Sequence, residues 1–116
     1  MAQLETEMPE FLAKVFAALI LVESEGNLWA VREKHGAYGC AQIRQMCLDD
    51  VNEYAGTNYV LTDFLGNYAL SEWAFYTYGQ RYKCKTAREY VRNWHRGKKG
   101  DDYVERVMRL YQEERR

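Results

Sequence analysis

The chain has 116 residues, is 47% hydrophobic and 28% charged, and contains one proline. That suffices for one domain with one core, leaves no room for a second, and excludes a disordered chain. The net charge of −1 is unevenly placed: residues 1–79 carry 4 basic and 11 acidic side chains, residues 80–116 carry 12 basic and 6 acidic.

A basic C-terminal third suits nucleic acid or an anionic polymer, or a solvated face turned toward the acidic part. Ten tyrosines and three tryptophans supply core and also suit sugar recognition, where a ring face meets a pyranose. Three cysteines, Cys40, Cys47 and Cys84, form neither a complete disulfide framework nor a metal-like spacing, so reduced, mostly buried thiols are expected. The acidic start MAQLETEMPEF lacks the basic leader of a secretory signal, and no apolar run approaches the roughly 20 residues of a membrane span.

Residues 1–8 are expected to form a frayed arm. Pro9 suits a first helical turn, with Glu7 and Glu10 near its positive end. The run Val15-Phe16-Ala17-Ala18-Leu19-Ile20-Leu21-Val22 predicts a buried helix from Pro9 to Glu23 or Ser24, stopped by Gly26-Asn27. Glu23 then ends a core helix, where the negative end of the dipole and partial loss of water both disfavour a charge. A carboxyl that keeps its proton near neutral pH is what a general acid needs. Most Glu residues in such a position simply turn to water.

Residues 24–39 read as a loop with three glycines at its turns, long enough to suggest function. Gly36 and Gly39 bracket Ala37-Tyr38, and such glycines let backbone pass close to a ligand. A second helix is predicted from Ala41 to Tyr54. Its stripe is Ile43, Cys47, Val51 and Tyr54, widened by Met46 and Leu48, and Gly56 ends it. Asp49 and Asp50 point about 100° apart and belong by default to a solvated face.

Thr62-Asp63 marks a helix start, and a third, ring-dense helix covers Tyr68 to Tyr82. Thr86-Ala87-Arg88-Glu89 fits a capping box opening a fourth helix to about Trp94. After Asp101-Asp102 a last helix runs from Tyr103 to Glu114, with Tyr103, Val104, Val107, Leu110 and Tyr111 as its apolar stripe. The expected fold is all-α: a single domain of about five helices around a buried central helix, with little or no β structure.

Two motifs sharpen the functional expectation. Glu23-Ser24-Glu25-Gly26-Asn27 is followed by Ala30 and then by Gly36-Ala37-Tyr38-Gly39-Cys40-Ala41-Gln42-Ile43. The pair resembles the signature of the soluble (Slt) type of lytic transglycosylases, goose-lysozyme-like glycosidases. Their pattern is Glu-Ser-x-Gly-Asn, an Ala, then Gly-Ala-x-Gly-Leu-Met-Gln-Ile. Cys40 and Ala41 replace the usual Leu-Met. The family's third motif, Ala-Arg-x-Tyr/Trp-Asn-Gly-Gly-Pro, is matched weakly, with Trp94 in the aromatic place, His95 for Asn, Arg96 for the first glycine and Lys98 for Pro. A terminal Tyr-x-x-x-Val element matches at Tyr103 and Val107.

The resemblance implies a lysozyme-like fold and a peptidoglycan lytic transglycosylase with Glu23 as catalytic acid. Ser24 would support it, and Gln42 would bind substrate or orient the acid. Asn27, Tyr38, Trp94, His95 and a tyrosine of the third helix, Tyr76 or Tyr78, are the further substrate-binding candidates. Glycoside cleavage by water or through a covalent intermediate ordinarily needs two carboxylates. In this family one Glu protonates the departing oxygen, then deprotonates the C6 hydroxyl of the same sugar to close a 1,6-anhydro ring. No cofactor is implied, and His95 has no second ligand at metal spacing.

Peptidoglycan strands are the expected partner, with a phage or secretion-apparatus component possible for delivery from the bacterial cytoplasm. Two readings of other classes compete. One is a non-catalytic lysozyme-like module that binds wall glycan or builds an assembly. The other is a nucleic-acid binder using Arg81, Lys83, Lys85, Arg88, Arg92, Arg96, Lys98 and Lys99, which the sequence favours least.

Overall fold

A computed structural model of the chain describes residues 8–95 and 100–114. Five α-helices occur among them: α1 (Glu10–Ser24), α2 (Gln45–Ala55), α3 (Tyr68–Arg81), α4 (Ala87–His95) and α5 (Gly100–Glu114). Two short strands, β1 (Val31–Arg32) and β2 (Ala37–Tyr38), pair antiparallel between α1 and α2. The protein is all-α. Among the described residues no helix is long and apolar enough to cross a membrane.

The long apolar run explains the centre of the molecule. A helix with apolar residues on more than one face must bury them against several partners, and α1 packs against α3, α4 and, most extensively, α5. Leu12, Val15, Phe16, Ala18 and Leu19 are fully buried. Phe16 stands edge-on to Tyr68 with centroids 5.2 Å apart and leans on Phe75 at 5.5 Å. Removing such a side chain from water contributes roughly 1.5–3 kcal/mol. The helix is not enclosed all round, since Lys14 and Leu21 face solvent. Met8 is half-buried against the core and so is not part of an arm; residues 1–7 lie outside the described residues.

A smaller apolar cluster of Ile43, Leu48, Phe64 and Ala74 lies where α2 meets α3, and Trp94 packs against both clusters. The capping box at α4 is formed as its sequence implies. The Glu89 amide donates to Thr86 Oγ1 at 3.1 Å, and the Thr86 amide donates to Glu89 Oε1 at 3.1 Å. The amide of Lys85, and then that of Thr86, donate to the Glu89 carboxyl and hold it below its usual range.

Three expectations change. Residues 24–39 are not a structureless loop: the β1–β2 hairpin and a 3-10 turn, Glu33–His35, occupy them. The second helix begins at Gln45 rather than Ala41, because Gln42 adopts a left-handed φ of 56° and Ile43 pairs with Tyr38 across a tight turn. With that start the buried stripe of α2 becomes Leu48, Val51 and Ala55, and Met46 and Tyr54 are exposed. None of the three cysteines is in a disulfide, but only Cys40 is buried.

Candidate active site

The end of α1 is shaped by two consecutive left-handed residues, Glu25 at φ 56° and Gly26 at φ 80°. Their amides return to the carbonyls of Leu21 and Ile20, each at 3.1 Å, which satisfies acceptors left open at a helix C-terminus. Just before this turn lies Glu23, 1% exposed. The Tyr103 hydroxyl, from the first half of α5, donates to Glu23 Oε2 at 2.7 Å. Burial first, and then the adjoining Glu23 carboxyl, hold the Tyr103 phenol far above its usual range. It therefore stays protonated and remains a donor. The α1–α5 packing that builds the core is also what brings together two residues 80 positions apart.

Ser24 faces the glycine-bounded turn. Its hydroxyl donates to the Cys40 carbonyl at 2.8 Å and sits 3.3 Å from the Ile20 carbonyl. It ties the end of α1 to residues 39–43. Gln42 is 7% exposed, and its Nε2 donates to the Gly39 carbonyl at 3.0 Å and the Ala30 carbonyl at 3.3 Å. Those two acceptors fix the orientation of the amide, and Gln42 Oε1 is left buried without a hydrogen-bond partner. An orphaned buried acceptor and a non-glycine residue at positive φ are both costly, and such features gather at functional sites. Gly39, at φ 81°, admits backbone rather than ligand here: an added Cβ would lie 2.8 Å from the Phe64 carbonyl oxygen.

The replacements in the second motif are core residues. Cys40 and Ala41 are buried in the main cluster, and burial pushes the Cys40 thiol up. The Ala41 carbonyl accepts from Trp94 Nε1 at 3.0 Å. Trp94, half-buried, meets Phe75 and Tyr78 edge-on with centroids 5.8 Å away in each case. It is a brace between the turn and α3. Tyr78 is the α3 tyrosine that reaches Trp94, whereas Tyr76 stacks on Tyr90 at 6.4 Å on another side of the helix. Tyr38 is half-buried against the smaller cluster, and Asn27, exposed, accepts the Trp29 amide at 2.9 Å in an Asx turn.

His95 ends α4, and its side chain, with Arg96, Gly97, Lys98 and Lys99, lies outside the described residues. Asp49 and Asp50 are engaged elsewhere, accepting from Gln45 Nε2 at 2.8 Å and the Tyr82 hydroxyl at 2.5 Å. Among the described residues no three His, Cys, Asp or Glu side chains gather to hold a metal ion. The basic face of α4 and α5 is partly neutralised, since Arg88 pairs with Glu105 at 2.5 Å and Arg109 and Arg92 also hold that carboxyl down.

Sequence reasoning gave Tyr103 no chemical role, although its place in the Tyr-x-x-x-Val element was a signal. Tyr103→Phe is expected to cost about 1–3 kcal/mol in urea unfolding, because Glu23 stays desolvated while losing a donor. A loss below a few tenths of a kcal/mol would mean that the pair contributes no net stability.

Glu72 was also missed. It is half-buried on α3, and burial raises its carboxyl above the ordinary range. A raised folded-state pKa gives stability that is full below the unfolded value and is lost as pH rises through the folded one. Glu72→Gln is therefore expected to raise Tm by about 2 °C at pH 7 and to leave it unchanged near pH 3.5, below the ordinary Glu pKa of about 4.3. Calorimetry at the two pH values checks this; an equal gain at both would point to packing instead of charge.

Together these features define an all-α protein whose central helix ends in a buried carboxyl–phenol pair, braced by a turn that carries an unsatisfied amide oxygen. No known protein family, curated protein or solved structure matches the chain.

Proposed function

We propose that the protein is a peptidoglycan lytic transglycosylase acting through Glu23. The observation that carries this reading is a single acid held out of bulk water at the end of the central helix, with the protonated Tyr103 phenol 2.7 Å away on Oε2. The motif resemblance from Glu23 to Ile43 supplies the substrate class, the bond from N-acetylmuramic acid to N-acetylglucosamine.

In this mechanism the Glu23 carboxylic acid gives its proton to the glycosidic oxygen as the bond from C1 of the muramic residue breaks. The resulting carboxylate takes the proton of the C6 hydroxyl of that same residue. The C6 oxygen bonds to C1, the 1,6-anhydro ring closes, and Glu23 is again protonated. Neither water nor a second carboxylate enters. Ser24 holds the turn that carries Gln42 against the end of α1. Mass spectrometry of digested sacculi tests the reading. Anhydro-ended muropeptides are expected; reducing ends would make the protein a hydrolase of the same bond.

One observation favours a second reading, a wall-binding or structural module without turnover. Glu23 is almost wholly enclosed, and a depression of about 460 Å³ beside α1 is lined by its neighbours Val22, Ser24 and Glu25. In that case sacculi would be bound and not cleaved at any pH.

A further inference from the structure

We propose that this depression is a separate saccharide site, in which the free face of Trp29 receives an amino-sugar ring and Arg32 receives a carboxylate borne on that sugar's side arm. The proposal rests on the wall-glycan reading only for the choice of glycan. The depression lies between the end of α1 and the start of the hairpin, and Glu25, Asn27, Trp29 and Arg32 line it.

Trp29 is 68% exposed, an unusual state for so large an apolar side chain. It is nevertheless held in place. Its amide donates to Asn27 Oδ1 at 2.9 Å, and the adjoining Leu28 carbonyl accepts from the Gly66 amide at 2.8 Å. The benzo half of the indole rests directly on Gly66. A Cβ there would come within 2.4 Å of Trp29 Cζ2, so only a glycine lets the ring lie so close to the backbone. The outcome is an exposed aromatic platform braced from beneath. A ring positioned in advance loses little freedom when a ligand stacks on it, which is how rigid aromatic side chains serve at binding surfaces.

The polar rim suits a sugar with an acidic arm. Arg32 is exposed within the depression and offers a planar set of donors matched to a carboxylate. Glu25, turned outward by its left-handed backbone, offers an acceptor to a hydroxyl or an acetamido N–H. A neutral glycan would use the platform and leave Arg32 idle. The preferred ligand is thus a carboxylate-bearing amino sugar, such as a muramyl unit with its lactyl and peptide arm.

The test is titration of the isotope-labelled full chain with two probes, an N-acetylglucosaminyl–N-acetylmuramyl peptide disaccharide and neutral tetra-N-acetylchitotetraose. The Trp29 indole N–H resonance should shift with both, and the disaccharide should bind more tightly. Trp29→Ala should weaken both by about tenfold or more, with Trp29→Tyr recovering part of the loss. Arg32→Gln should weaken the disaccharide alone. Unchanged affinity in Trp29→Ala and Trp29→Tyr, or an unmoved indole resonance, overturns the site. An Arg32→Gln variant that still distinguishes the probes overturns the acidic specificity. Cleavage is scored separately on sacculi. Turnover without a Trp29 effect sinks this site and spares the enzyme; a Trp29 shift without turnover does the reverse.

Discussion

Glu23→Gln is expected to lower sacculus cleavage by roughly 10²–10⁴-fold, the usual contribution of general acid–base catalysis, while stability changes by about 1 kcal/mol or less. The substitution is nearly isosteric, and the Gln carbonyl still accepts the Tyr103 hydroxyl that now reaches Glu23 Oε2. What it removes is the transferable proton. Turbidity loss of purified sacculi gives the rate, and urea unfolding gives the stability. Glu23→Ala separates the two roles, since it leaves the buried Tyr103 hydroxyl without that acceptor and should cost about 1–3 kcal/mol. If Glu23→Gln retains activity within a few-fold of wild type, Glu23 is not the acid. If wild type itself shows no turnover but Glu23→Gln still sediments with sacculi, the binding-module reading stands.

Gly79→Ala is expected to destabilise the protein by about 2–3 kcal/mol, against the roughly 1 kcal/mol gain that helix propensity alone would give. An added Cβ would lie 2.1 Å from Tyr90 Cε2 and 2.3 Å from Cδ2. The ring has nowhere to retreat. Tyr90 is buried, Phe75 stands 5.8 Å from it, Tyr76 stacks on it, and its hydroxyl accepts from Gln80 Nε2 at 2.9 Å. Accommodation must come from α4 moving away from α3, which opens the core. Tm should fall by about 10 °C. In a Tyr90→Leu background the same substitution should be neutral or stabilising, because the clash is gone and the propensity gain remains; equal losses in both backgrounds would refute the packing account.

The local elements were legible in the residues to the degree that local chemistry decides them. The apolar run before Glu23 yields α1 within one residue of its observed start, and the Thr86/Glu89 pair yields the beginning of α4. The start of α2 was misjudged by four residues because apolar spacing at Ile43 resembles a helix. The backbone there is instead bent by Gln42, whose left-handed φ goes with side-chain bonds to Gly39 and Ala30. Trp94 could be read as motif or core, and its hydrogen bond to Ala41, 53 residues away, makes it a brace between the two clusters.

By itself, the order of residues determined the all-α class, the central position of the first helix and the candidacy of Glu23, since hydrophobic period, caps and motif spacing act over a few positions. Only the tertiary structure decided that Tyr103 meets Glu23, that Gln42 keeps an unsatisfied oxygen, that Tyr78 rather than Tyr76 reaches Trp94, and that Trp29 lies bare over Gly66. Each of those depends on which faces of distant elements meet when the core closes, and no short-range pattern encodes that.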